Sequence, residues 1–243
     1  LYKAQVDNHH YRYSVEEAVE VKGANLIPRK ILNYKDGWKK LPDTCITMYK
    51  LNGSRACIIN GQLYSKIGRP EEIKVSHIRR VVEDLHELGI SNLDAEVYAD
   101  GLSLQRIRSA WLKPVKTDKE IIKIAKDRTG EKPESVEHAI DLLGYNPNED
   151  APKLRLHVFD MPDTTGLTFR ERLSIIRDKL HKAAEKMSYD LSGYLDMVYC
   201  RITKSHEDRM EELNSVPADV EGLVHYDPDG GYEFGKRSSN AQK

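Results

Sequence analysis

The dipeptide Asn60-Gly61 constrains this chain more than any other feature. It stands between two short runs, 56–59 and 62–66, and both of its residues tolerate positive φ. A two-residue loop of this kind closes an antiparallel hairpin, because its twist matches that of the strands it joins. Just before the hairpin, residues 44–49 (Thr-Cys-Ile-Thr-Met-Tyr) read as a strand running into Lys50. Further strands are predicted at 93–98, 154–160, 195–202 and 222–226. Residues 71–88 read as a helix, with Val75, Ile78, Val82, Leu85 and Leu88 at helical spacing and Gly89 as the stop. Thr117-Asp-Lys-Glu120 and Thr168-Phe-Arg-Glu171 are capping boxes. The first opens a helix that ends near Gly130. The second leads Phe169, Leu173, Ile176, Leu180, Ala184 and Met187 along one stripe. A helix from Pro133 to Gly144, with Val136, Ala139, Ile140 and Leu143 inward, and a short one over 206–213 complete the reading. Hairpins with interspersed helices, without a regular βαβ alternation, predict an α+β fold rather than a doubly wound sheet.

At 243 residues the chain is long enough to bury a real core, as one large domain or two small ones. No apolar run approaches the length of a membrane span, and no signal-peptide pattern is present. The chain begins at Leu1 and is read as a fragment or a trimmed protein. Cys45, Cys57 and Cys200 lie far apart and form no C-x-x-C pair, which argues for a reducing compartment and against a zinc site. The nine histidines show no ligand spacing. Glycine-rich phosphate loops are missing too, so a nucleotide would not be held by a P-loop or a dinucleotide fingerprint.

Lys and Arg number 38 against 39 Asp and Glu, so the whole chain, at −1, does not announce a nucleic-acid binder. Between positions 50 and 80, however, seven basic residues face two acidic ones, a surplus able to track a phosphate backbone. The segment Lys50-Leu-Asn-Gly-Ser-Arg55 carries the chemistry. A lysine at a strand end, desolvated or flanked by cations, becomes a nucleophile toward phosphorus. Gly53 allows close approach of backbone, and Arg55 offers a fork of donors to ribose or phosphate. Glu96, Phe159 and Glu221 follow on or beside later strands and add two carboxylates and an aromatic. A nucleophile, cations for phosphate, and carboxylates for a divalent ion are the inventory of phosphoryl transfer.

In this order the segments resemble the covalent nucleotidyltransferases, and among them the phage-type ATP-dependent DNA ligases. Lys50 to Arg55 resembles motif I (K-x-D-G-x-R), and Leu63-Tyr-Ser-Lys-Ile-Gly68 the S-R-x-G element after it. Residues 93–98 resemble motif III, Val158-Phe-Asp160 motif IIIa and Glu221-Gly-Leu-Val224 motif IV. Residues 231–238 resemble the run into motif V, whose first lysine would be Lys243. Leu102-Ser-Leu-Gln-Arg-Ile-Arg-Ser109 and Thr168-Phe-Arg-Glu-Arg-Leu173 are similar to stretches of the DNA ligases specifically. The match runs from about position 50 to 243. The first 40 residues fit loosely, and 117–149 looks like a helical insertion.

The resemblance implies a nucleotidyltransferase (ATP-grasp-like) fold of antiparallel β-sheets flanked by helices, forming one adenylation domain over 1–243. An OB domain would follow, and it is absent from this chain. Lys50 would carry AMP. Arg55, Glu96, Phe159, Glu221 and Lys243 would bind ATP or AMP, Glu96 and Glu221 would hold Mg²⁺, and Lys66 and Arg69 would contact DNA. The cofactors implied are ATP and Mg²⁺, and the partner is nicked duplex DNA. The activity implied is that of a cytoplasmic monomer, in a bacterial or phage-infected cell, serving DNA repair, replication and recombination. Two positions depart from the pattern. Asn52 replaces the aspartate of motif I, which keeps an RNA ligase in view, and Met48 stands where many DNA ligases carry a glutamate that reads the adenine amino group. A capping guanylyltransferase is a more distant alternative, and a catalytically silent nucleic-acid-binding module is the alternative outside enzymes.

Overall fold

The computed structural model describes residues 27–235 and 237–243. Most of the loosely matched N-terminal part, and Lys236 in the run toward motif V, lie outside the described residues. The described chain opens with β1 (Lys30–Leu32) and the one-turn helix α1 (Tyr34–Gly37). Next comes β2 (Cys45–Leu51), which carries Lys50 one residue before its end. The hairpin forms as expected from β3 (Ser54–Ile59) and β4 (Gln62–Tyr64), with Asn60 at φ 53°, Gly61 at φ 74° and Ile59 paired to Gln62. Then β5 (Pro70–Glu71) pairs back onto β4, which keeps the chain extended and delays α2 (Ser76–Glu87) relative to the predicted start at 71. Val75, Ile78, Val82 and Leu85 are buried, but Leu88, expected inward, is 41% exposed because it lies past the last turn.

Downstream, β6 (Leu93–Tyr98) is followed by a helix not among those predicted, α3 (Leu104–Leu112), with Ser103 as its N-cap. The Thr117–Glu120 capping box forms and opens α4 (Asp118–Thr129), which Gly130 ends at φ 78°. Ser135 rather than Pro133 sets the start of α5 (Val136–Leu143), because its hydroxyl accepts from the His138 N–H. These two helices pack on each other around Ile121, Ala125 and Ala139, a small core of their own. After β7 (Arg155–Asp160), the second capping box opens α6 (Phe169–Lys186). Its buried stripe runs Phe169, Leu173, Ile176, Leu180 and Ala183; Ala184, predicted inward, is exposed. The predicted strand at 195–202 is two strands, β8 (Leu195–Met197) and β9 (Cys200–Thr203). The chain closes with α7 (His206–Asn214), β10 (Val220–Tyr226) and β11 (Arg237–Gln242).

The strands form two sheets, ordered β1-β11-β10-β2-β9 and β5-β4-β3-β6-β7-β8. Among the described residues the pairings are antiparallel, save β1 with β11 and β7 with β8. Two segments step from one sheet to the other. One is the Asn52-Gly53 link between β2 and β3, and the other is Val198-Tyr199, which splits the predicted strand. There the Val198 N–H donates to the Val158 carbonyl at 2.9 Å, while the Tyr199 carbonyl accepts from Tyr49 at 3.2 Å. The main core lies between the second sheet and its helices, with Ile78, Leu85, Leu93, Ile107, Leu156 and Ile176 almost fully buried. Each such side chain contributes roughly 1.5–3 kcal/mol by leaving water. A second cluster, Met48, Phe169, Leu173, Val224 and Tyr226, sits on the first sheet, and its Phe169 and Tyr226 rings stack at 4.1 Å.

Candidate active site

The β2–β10 ladder sets Lys50 opposite Gly222. Between Val220 and Gly222 the register slips, and a slip of this kind re-aims a side chain. Glu221 occupies the slip, and its carboxylate forms an ion pair with the Lys50 ammonium. The second carboxylate arrives from the other sheet. At Gly53 the link out of β2 presses onto β6: a β-carbon there would lie 2.3 Å from the Val97 carbonyl oxygen and 2.8 Å from Glu96 Cγ. No side chain fits in that space, so glycine lets the end of β2 close onto Glu96. Burial pushes the Glu96 carboxyl up to about 7, against the pull of the Arg55 and Lys50 cations, while Asp94 and Glu221 push the same way as burial.

Arg55, paired with Glu96 across β3 and β6, gives its fork elsewhere. Its Nε and Nη2 donate to the two oxygens of Asp94 at 2.8 and 2.5 Å, and Nη1 donates to the Arg29 carbonyl at 2.5 Å. Its guanidinium also lies 5.6 Å from the centre of the Phe159 ring. Lys50, Arg55, Glu96, Phe159 and Glu221 thus surround one cavity of about 270 Å³. Met48, Val198 and Val224 add an apolar part to its lining. Lys243 lies in an adjoining cavity that Lys50 and Glu221 also line. It is tied there by its main chain, its N–H donating to Leu32 at 2.9 Å and its carbonyl accepting from Tyr34 at 2.6 Å. Lys66 and Arg69 do not join the others. They are exposed in the turn between β4 and β5, where the Arg69 N–H donates to Ser65 Oγ at 3.1 Å.

Sequence reasoning missed two parts of this arrangement. The first is α3, which sends Leu104 and Arg108 to the cavity. The i,i+4 spacing inside Leu-Gln-Arg-Ile-Arg was the available signal. The second is a buried ion network behind the cavity. Asp160 accepts from Arg29 at 2.7 Å and from both sides of Arg172 at 2.8 and 3.1 Å, all three being at most 2% exposed. Asp94 accepts from Arg55 and from the Tyr232 hydroxyl, at 2.7 Å for the latter. Burial pushes the Tyr226 and Tyr232 phenols up, so both stay protonated, and Tyr232 keeps the proton it donates to Asp94.

Among the described residues no group of three or more His, Cys, Asp or Glu could cage a metal. Glu96 and Glu221 are two hard oxygen donors on one cavity. That donor set fits Mg²⁺, which is held by one or two carboxylates together with substrate phosphates. No helix of the described residues is long and apolar enough to cross a membrane.

No family model and no curated protein matches the chain. Solved structures do, and they show its fold: the α+β architecture, antiparallel-rich sheets flanked by helices, is similar to that of DNA ligase structures. Chlorella virus DNA ligase-adenylate superposes on 88% of this chain and 64% of its own, with a TM-score of 0.59 and 17% identity. The ATP-dependent DNA ligase from bacteriophage T7, in complex with ATP, superposes on 90% of this chain and 68% of its own, with a TM-score of 0.60 and 14% identity. A Lig E DNA ligase gives 89% and 67%, a TM-score of 0.58 and 18% identity. The chain therefore spans 64–68% of the length of these three. At such identities the likeness is one of fold.

Proposed function

We propose that this chain is the adenylating domain of an ATP-dependent DNA ligase, sealing nicks between a 5′-phosphate and a 3′-hydroxyl through a lysyl–AMP intermediate. The observation that carries the reading is the Lys50 amine, ion-paired to Glu221, on the wall of a cavity that also holds Glu96 and Phe159. The Lys50 ammonium first sheds a proton, and Glu221 is the carboxylate in contact with it. The freed amine attacks the α-phosphorus of ATP. An N–P bond forms, the α–β P–O bond breaks and pyrophosphate leaves. The 5′-phosphate oxygen of the nick then attacks the lysyl-bound phosphorus: a P–O bond forms, the N–P bond breaks, the Lys50 amine leaves and takes up a proton, and AMP is carried on the strand end. The 3′-hydroxyl attacks that 5′-phosphorus, loses its proton and expels AMP.

Phe159 stacks on the base, Lys243 offsets charge at the phosphates, and Arg55, its fork held by Asp94, adds positive charge to the nucleotide site without giving up that pairing. A divalent ion held by Glu96 and Glu221 would supply further neutralisation of phosphate charge. Lys66 and Arg69 serve as backbone contacts for the duplex. Action as a cytoplasmic monomer in DNA repair, replication and recombination belongs to the same proposal.

An RNA ligase is the second reading, favoured by Asn52 at the mouth of the site. Sealing assays separate the two. With ATP and Mg²⁺, a nicked DNA duplex should be joined well above a nicked RNA duplex, with rates that fall steeply as salt rises. Faster joining of the RNA nick would move the assignment to RNA ligases, and AMP transfer to neither would overturn both.

A further inference from the structure

Arg106 and Arg108 sit two residues apart on α3, hence about 200° apart around the helix. Helix α3 itself is firmly seated, with Ile107, Ala110 and Trp111 buried and Ser103 capping its start. Arg106 is fully engaged: it donates to both oxygens of Asp150, at 3.0 and 2.5 Å, and lies 3.7 Å from the centre of the Tyr145 ring. Arg108 points elsewhere. It shares the face of Leu104 one turn earlier, and both line the cavity of Lys50.

The charges of that cavity show what Arg108 is available to do. Three cations line it, Lys50, Arg55 and Arg108, and two carboxylates, Glu96 and Glu221. Lys50 is held by Glu221, and the fork of Arg55 is spent on Asp94. Arg108 is exposed and has no hydrogen-bond or ion-pair partner among the described residues. A guanidinium with unengaged donors, on a rigid helix at the edge of a site rich in paired charge, is matched to the oxygens of a phosphate group.

We propose that Arg108 is the residue that docks an incoming phosphate in this cleft. It rests on the ligase reading for the identity of the two phosphates that come there: the polyphosphate of the nucleotide and the 5′-phosphate of the strand to be joined. Arg108 forms no bond to either phosphorus. It raises the local concentration of the phosphate beside Lys50 and leaves the bond-making steps to the groups already named.

Equilibrium binding to the whole chain tests this without requiring turnover. Affinity is measured for ATP against adenosine, and for a nicked DNA duplex with a 5′-phosphate against the same duplex with a 5′-hydroxyl. Each ratio isolates the phosphate. In the wild type at least one ratio should favour the phosphate, and Arg108→Ala should cut that preference by about 10- to 100-fold, the range of a charge-assisted contact. Arg108→Lys should restore part of it, and the salt slope in the affected arm should drop by about one. A loss in the ATP arm assigns Arg108 to the nucleotide, and a loss in the duplex arm assigns it to the strand end. Ratios within twofold of wild type in both arms overturn the proposal. So does a wild type with no phosphate preference. Because Arg108 is exposed, the variant should keep the wild-type melting curve. Phosphate-dependent binding by a chain that never forms a lysyl adduct would sink the ligase reading and leave the Arg108 assignment standing.

Discussion

Replacing Asp160 with asparagine removes one charge from the centre of the molecule while keeping the side chain's shape. In the native protein Oδ1 accepts from Arg172 Nε and from the Met161 N–H, both at 2.8 Å. Oδ2 accepts from Arg29 Nη2 at 2.7 Å and Arg172 Nη2 at 3.1 Å. An asparagine can keep its oxygen at the first position. Its amide must then face two guanidinium groups, donor against donor, with no anion left for either. Arg29 and Arg172 are 2% and 0% exposed, so water cannot compensate them. Breaking a buried pair by removing one partner costs about 3–5 kcal/mol. In a chain of this size each kcal/mol lowers the melting temperature by about 2–4 °C, so the expected fall is about 6–20 °C. Thermal unfolding followed by circular dichroism reads it directly. Arg172→Met added to Asp160→Asn should recover part of the loss, since it removes one stranded cation. A fall of less than 2 °C in the single variant would mean that the network contributes little, and the reasoning from buried charge would be wrong.

Two other perturbations test neighbouring parts of the account. Gly53→Ala puts a β-carbon 2.3 Å from the Val97 oxygen and must push the end of β2 away from Glu96. Lysine adenylation should slow by about 100-fold, the scale of a misplacement near 1 Å, while overpacking costs about 1–3 kcal/mol; an unchanged rate would show that the close approach is not what aligns the site. The second concerns pH. Burial, with Arg209 and His206 nearby, pushes the His225 imidazole down to about 4, below its unfolded value of about 6.5. The unfolded chain therefore takes the proton first, and stability present above pH 6.5 is lost as pH falls toward 4, by up to about 3 kcal/mol. Urea midpoints at pH 7 and pH 4.5 should differ less for His225→Gln than for the wild type; equal differences would assign the acid sensitivity to other groups.

How much of this was legible in the sequence follows from the range of each interaction. The β3–β4 hairpin and the two capping boxes were readable because their determinants lie within four residues: Asn60-Gly61, Thr117 with Glu120, Thr168 with Glu171. The split of 195–202 was not. The run stays strand-like throughout, and the break depends on which sheet each half joins, a choice made by partners near Tyr49 and Val158. Helix α3 was open to being read, since Leu104, Ile107, Ala110 and Trp111 recur at helical spacing and Ser103 stands at its N-cap, but its nine residues carry no capping box or closing glycine to mark them off. Leu88 kept the period but outlasted the helix. For the site, the order of Lys50, Glu96 and Glu221 was visible, and their meeting was not. It depends on the tight Gly53 crossing, where the glycine was readable but which strand it presses on was not, and on the register slip at Glu221, which leaves no local mark. Pairing between Arg29 and Asp160 spans 131 positions and leaves no local signature at all.

The most direct test of the central claim is the mass of the protein after incubation with ATP and Mg²⁺, followed by mapping of the modified peptide. The account predicts one AMP on the Lys50 side chain, lost again when pyrophosphate is added. Lys50→Ala should give no adduct while retaining the wild-type circular dichroism spectrum. A folded wild-type chain that acquires no AMP, or acquires it on Lys243 or any other lysine, would contradict the account.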